Sequence, residues 1–146
     1  MLQRFEHFSL AISEIYRYWH QIAGEEMRKY GLKASHATYL VTLSRFPLGL
    51  TAPKIAAYCG RDKADVSRMM SILEAKGLAV REGANRYRGC LRLTQEGQKV
   101  AGEISSRAQQ AVALASEGLT EEKRAIFNEA LDTIARNLHR ISQEGL

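Results

Sequence analysis

The chain has 146 residues, 45% hydrophobic and 25% charged, with a net charge of +5. That suits one compact domain, or one domain with helical extensions, and excludes a disordered chain. No apolar run nears the ~20 residues needed to cross a bilayer. Glu6, His7, Glu14 and Arg17 break the N-terminal apolar pattern, so no signal peptide is expected and the cytoplasm is the expected location.

The first element is predicted as a helix from Leu2 to Tyr30. Phe5, Phe8, Ile12, Ile15, Trp19 and Ile22 recur at spacings of 3 and 4, the narrow seam of a helix that packs along another helix. Gly31 is suited to cap its C-terminus. A short helix follows Ser35, carrying Tyr39, Leu40, Leu43 and Phe46, until Pro47 and Gly49 stop it.

Residues 50–77 hold the most informative pattern. Thr51 is a suitable N-cap and Pro53 is tolerated in a first turn. A short helix through Tyr58 reaches a turn at Cys59-Gly60-Arg61. Asp62 can cap a second helix from Lys63 to Lys76, which Gly77 ends. A helix-turn-helix needs a small residue facing the second helix, a residue that accepts positive φ in the turn, and a branched apolar residue locking the pair. Ala56, Gly60 and Val66 meet those demands in order.

Leu78–Glu82 and Cys90–Leu93 read as two short strands, linked by Gly83–Gly89 with Asn85, Arg86, Tyr87 and Arg88 at the tip. A hairpin tipped with arginine, after the second helix, is a wing, because a planar guanidinium suits a narrow minor groove or a phosphate. A helix from Gln95 to about Ser116 follows, with Thr94 as N-cap, five alanines along it and Gly118 at its end. Thr120 caps a last helix whose Phe127, Leu131, Ile134, Leu138 and Ile141 repeat the 4-and-3 spacing of the first. Two long apolar stripes at the termini, beside a self-contained middle, predict a homodimer joined through these helices.

Charge supports a polyanionic partner. From Thr51 to Thr94 there are nine basic and four acidic residues, and the remainder is neutral, with 12 of each sign. The whole excess therefore lies in the middle segment, and double-stranded DNA is the natural partner for it. Cys59 and Cys90 are too few and too far apart for a disulfide framework or a zinc finger. They read as reduced thiols, Cys59 as a small hydrophobe in the helix-turn-helix and Cys90 as a structural residue of the wing. His7, His20, His36 and His139 form no close ligand pair, so neither metal nor cofactor is expected.

The order of elements resembles the multiple-antibiotic-resistance-regulator (MarR) family of bacterial transcription factors. The phrases Asp62-Lys63-Ala64-Asp65-Val66-Ser67-Arg68, Leu73-Glu74-Ala75-Lys76-Gly77-Leu78 and Leu93-Thr94-Gln95-Glu96-Gly97 carry the likeness. It implies a two-fold dimer with two winged domains reading a pseudo-palindromic operator. It also implies repression of neighbouring genes and release by a small anionic or phenolic effector. The family's wing usually carries Asp-x-Arg-Gly, whereas this tip is about one residue shorter. Alignment from Leu93-Thr94 puts Asn85 at the aspartate's place, and alignment from Arg88-Gly89 puts Arg86 there. The family's peroxide sensors use a first-helix cysteine, which this chain lacks.

The expected fold is thus mainly α with a small β-hairpin. It comprises an N-terminal dimerisation helix (1–34), a winged helix-turn-helix (35–94) and C-terminal dimerisation helices (95–146). Lys63, Ser67 and Arg68 are expected on the exposed N-terminal half of the recognition helix, where base edges are reached. Thr51, Lys54 and Arg61 are expected at phosphates, and Arg86 and Arg88 at the minor groove or its rim. Asp65 can accept from a cytosine N4 or orient Arg61 or Arg68, the second reading being preferred. Tyr16, Trp19, His20 and Tyr39 can line an effector pocket between the dimer helices and the winged domain. They can equally pack as dimer core, as aromatic residues at helical spacing usually do. No GxSxG, phosphate loop or paired catalytic cluster is present, so an enzyme is not expected. The alternative to a regulator is a winged-helix protein-interaction module without an operator of its own.

Overall fold

Apolar residues decide which helices have a core to pack on. The computed structural model describes residues 2–83 and 89–146. In chain order the elements are α1 (Leu2–Arg28), α2 (His36–Ser44), β1 (Leu50–Thr51), α3 (Ala52–Cys59) and α4 (Lys63–Ala75), followed by β2 (Ala79–Glu82), β3 (Cys90–Leu93), α5 (Gln95–Ala115) and α6 (Glu121–Glu144). They divide into two compact units, Met1–Ala108 and Gln109–Leu146.

The first unit holds one hydrophobic core. It gathers Met27 of α1 and Leu32 after it, Tyr39, Leu40 and Leu43 of α2, Ile55 of α3, Val66, Met69, Met70 and Leu73 of α4, the inward residues of the strands, and Val100, Ala101 and Ile104 of α5. On α4 the buried set falls at i, i+3, i+4 and i+7, one face of an α-helix. The strands form a three-stranded antiparallel sheet in the order β1-β3-β2. Leu50 pairs with Leu91 and Thr51 with Cys90, while Ala79 pairs with Leu93 and Glu82 with Cys90. The expected hairpin is β2 and β3, and β1 adds a third strand to it. β1 is two residues long, too short for alternation to register in a sequence.

The base of the wing explains the Leu93-Thr94-x-x-Gly97 phrase physically. The Thr94 hydroxyl donates to the Gly77 carbonyl at 2.7 Å and accepts from the Gly97 N–H at 3.1 Å. The Thr94 N–H reaches the Leu78 carbonyl at 3.0 Å. One residue thereby joins the end of α4 to the start of α5. Gly97 is needed there because a Cβ would lie 2.0 Å from the Leu78 oxygen.

The N-terminal part of α1 is different. No residue from Gln3 to Ala23 is buried. Phe5 is 70% exposed and Ile15 61%, as their seam would be if a partner were to cover it.

The second unit has its caps but no core. Thr120 accepts from the Lys123 N–H at 3.3 Å, with Glu121 and Glu122 in the first turn where they favour the helix dipole. No residue from Gln109 to Leu146 is buried. Phe127, Leu131 and Leu138 are exposed, and Ile134 and Ile141 only half-buried. No helix among the described residues is long and apolar enough to cross a membrane.

Candidate nucleic-acid interface

The helix-turn-helix is built from α3 and α4. Gly60 takes a left-handed conformation, φ 62°, in the turn. This sends two amides back to one acceptor, since both the Gly60 and Arg61 N–H groups bond to the Ala56 carbonyl. Ala56 packs against the core and Val66 is buried, as the tight crossing requires. Asp62 caps α4, its Oδ1 accepting from the Asp65 N–H at 2.8 Å.

Thr51 stands at the N-cap of α3 with an extended backbone, but its side chain makes no capping bond. Pro53 has no N–H at N2, and the Lys54 N–H at N3, the position that Asp62 and Thr120 cap in their own helices, is not capped by Thr51. Thr51 is also a strand residue, paired with Cys90.

With Val66, Met69, Met70 and Leu73 turned inward, the opposite face of α4 is exposed. It presents Lys63, Ala64, Ser67, Arg68 and Ser71. Sequence reasoning placed Lys63, Ser67 and Arg68 there and missed Ser71, four residues beyond Ser67 on the same face. Lys54 is exposed on α3, Arg61 is exposed in the turn, and Thr51 is half-buried.

Asp65 is held between helices. Its Oδ2 accepts a hydrogen bond from the Tyr39 hydroxyl at 2.6 Å. Arg61 Nε lies 3.9 Å from Oδ2 and an Arg68 guanidinium nitrogen 3.8 Å from Oδ1. The Tyr39 bond, and then the two arginines, hold the carboxyl below its ordinary value. Burial and the bond to Asp65 push the Tyr39 phenol far upward, so it remains a donor. The sequence carried Asp65's link to the arginines, at i−4 and i+3. The link to Tyr39 spans 26 positions and has no local signal.

Other cations are engaged away from this face. Arg81 of β2 is paired with Glu74 of α4. Arg92 reaches Glu82 across the sheet at 2.5 Å. The Lys76 ammonium stands over Gly31. Arg86 and Arg88 lie outside the described residues. Cys59 is half-buried against the core, and burial raises its thiol pKa. Among the described residues no cluster of His, Cys, Asp and Glu is arranged for a metal.

The four aromatic effector candidates occupy two environments. Tyr39 is buried in the core and bonded to Asp65. Tyr16, 65% exposed, stacks on His20 at 5.5 Å between centroids, and Trp19 is exposed beside them. An open cleft of about 600 Å³ lies elsewhere, between the end of α1 and α5, lined by Glu26, Lys29, Tyr30, Lys99, Gly102, Glu103, Ser106 and Arg107. Tyr30 donates to Glu103 at 2.5 Å there, and burial with that bond pushes its phenol up to about 12.

Residues 30–86 match the model of the MarR family, a span that contains α2, β1, the whole helix-turn-helix and β2. Over that span the chain is similar to the MarR family. Solved structures share the wider fold. A MarR transcriptional regulator from Methanosarcina mazei Go1 superposes with a TM-score of 0.81 at 23% identity, covering 93% of this chain and 92% of that one. A MarR-family regulator from Listeria monocytogenes, complexed with a 26mer DNA, gives 0.80 at 23% identity, over 92% and 93% of the two chains. CouR from Rhodococcus jostii RHA1, bound to p-coumaroyl-CoA, gives 0.75 at 21%, over 88% and 91%. No curated protein is similar enough in sequence to count as a relative. The chain thus shares the fold of these solved structures.

Proposed function

We propose that the protein is a sequence-specific double-stranded DNA-binding transcription regulator. In this reading it acts as a homodimer on a pseudo-palindromic operator, as a repressor released by a small anionic or phenolic effector. The observation that carries it is the outward face of α4. A capped helix with its apolar side buried offers a row of small and basic side chains at its N-terminal half, and a major groove admits such a helix. Lys63, Ser67 and Arg68 reach base edges. Thr51, Lys54 and Arg61 hold phosphates, and Arg86 and Arg88 extend the contact at the wing. Residues 35–94 form the reading domain, while 1–34 and 95–146 join the two copies through the exposed stripes of α1 and α6.

The DNA complex of the Listeria monocytogenes relative supports the partner, and the p-coumaroyl-CoA complex of CouR supports a small-molecule effector. A regulator of this kind works in the cytoplasm and performs no catalysis.

Selection of duplexes from a randomised pool by the purified protein tests the proposal. The expected product is a pseudo-palindrome whose half-sites lie about one helical turn, ~34 Å, apart. Binding to it should weaken steeply with salt as counterions are released. A pool that yields no enriched sequence would leave the interaction-module reading in its place.

A further inference from the structure

We propose that Tyr39 is a positioning residue for recognition: its buried hydroxyl pins the Asp65 carboxylate, and that carboxylate sets where Arg61 and Arg68 stand at the head of α4. The inference rests on the DNA reading above.

A carboxylate at the reading end of a DNA-facing helix repels phosphate. Its place there is accounted for if it aims cations, and Asp65 has one arginine on each side at nearly equal distance, 3.9 and 3.8 Å. Such pairs are weak when both partners are free, because two side chains must be ordered together in water. Asp65 is not free. Tyr39 is 1% exposed, on a different helix, and its hydroxyl occupies Oδ2 at 2.6 Å. With Oδ2 fixed, Oδ1 is turned toward Arg68. A buried phenol needs an acceptor, and this one finds it on the surface of α4 rather than within the core. The result is a carboxylate ordered before any DNA arrives, which lowers the entropy lost on binding. Arg68, whose side chain is 68% exposed, is the more available of the two arginines for a base edge.

The experiment uses the duplex that the wild-type protein selects from a randomised pool, and a scrambled duplex of equal length. Affinities for both are measured for wild type, Tyr39→Phe, Asp65→Asn and the double variant, with helix content checked by circular dichroism. Tyr39→Phe should keep the fold, lose about tenfold of its preference for the selected duplex, and bind the scrambled one within about twofold of wild type. The double variant should discriminate no worse than Asp65→Asn alone, since the tyrosine acts through the aspartate. An NMR titration of the Asp65 carboxyl should move upward in Tyr39→Phe, a change that mere core filling would not produce. Unchanged preference in Tyr39→Phe, or additive losses in the double variant, would overturn the inference. If Tyr39→Phe fails to fold, full discrimination by Asp65→Asn overturns it instead. A wild type that discriminates while both variants match it ends this inference alone. A wild type that prefers no duplex ends the DNA reading and this inference with it.

Discussion

α4 and α6 each carry apolar residues along one helical face and use them in opposite ways. On α4, Val66, Met69, Met70 and Leu73 are buried under α3, the sheet and α5. On α6, Phe127, Leu131, Ile134, Leu138 and Ile141 meet no core at all. Periodicity states which face is apolar but not what will cover it. The difference lies in the surroundings: α4 lies in the unit that holds the hydrophobic core, whereas α6 lies in a unit with no buried residue. An open seam of this length is what the proposed homodimer would cover.

Paired substitutions test that contrast most severely. Leu73→Ala should lower unfolding stability by about 2–5 kcal/mol, the cost of a cavity in a packed core, and sedimentation should still show a dimer. Leu138→Asp should leave the winged domain folded and raise the dimer dissociation constant roughly a hundredfold or more, by trapping an unpaired charge in the seam. A Leu138→Asp protein that sediments as wild type at micromolar concentration would break the comparison.

Gly97→Ala should come next in size. Alanine ordinarily stabilises a helix relative to glycine, by up to ~1 kcal/mol. Here the added Cβ would press on the Leu78 carbonyl, so a net loss of about 1–3 kcal/mol is expected in denaturant titration, with an unchanged m-value. A gain in stability would show that the start of α5 can shift freely.

The two faces of α4 can be separated in the same way. Arg68→Ala should change stability little, as befits an exposed ion pair worth roughly 0–1 kcal/mol. It should weaken binding to the selected duplex by about 1–3 kcal/mol, and binding to a scrambled one much less. Equal losses on both would reassign Arg68 to phosphate.

The smallest effect concerns His36. Its Nδ1 accepts from the Lys33 N–H at 3.1 Å, and burial, with Lys33 nearby, holds it below its ordinary value of 6.5. The unfolded chain therefore takes up the proton first. Stability should fall as pH drops through 6.5 and level off below the folded value, because the unfolded state binds more protons in that window. Thermal melts of wild type and His36→Gln between pH 7.5 and 5, as a range to scan on the order of the His titration, should show a shallower decline for the variant. Parallel curves would assign the decline to other groups.

Much of this was legible because it is local. Ala56, Gly60 and Val66 mark the crossing, Asp62, Thr94 and Thr120 mark caps, and all act within a few residues of themselves. What escaped is non-local or negative. β1 exists only because β3 lies beside it. The side-chain cap expected of Thr51 is not made, although its backbone is extended as a cap's is. The tie from Tyr39 to Asp65 appears once α2 and α4 are folded together. The open cleft beside Tyr30 is likewise assembled from α1 and α5, some 70 positions apart, as the Tyr30–Glu103 bond shows.

The clasp at Thr94 has a consequence for how the sequence can change. It fixes the base of the hairpin through Gly77, Leu78 and Gly97, while Arg92 and Glu82 secure the strands further out. A substitution that removes the Thr94 hydroxyl therefore releases the Gly77 carbonyl and the Gly97 N–H together, so that the junction after α4 and the start of α5 loosen as one.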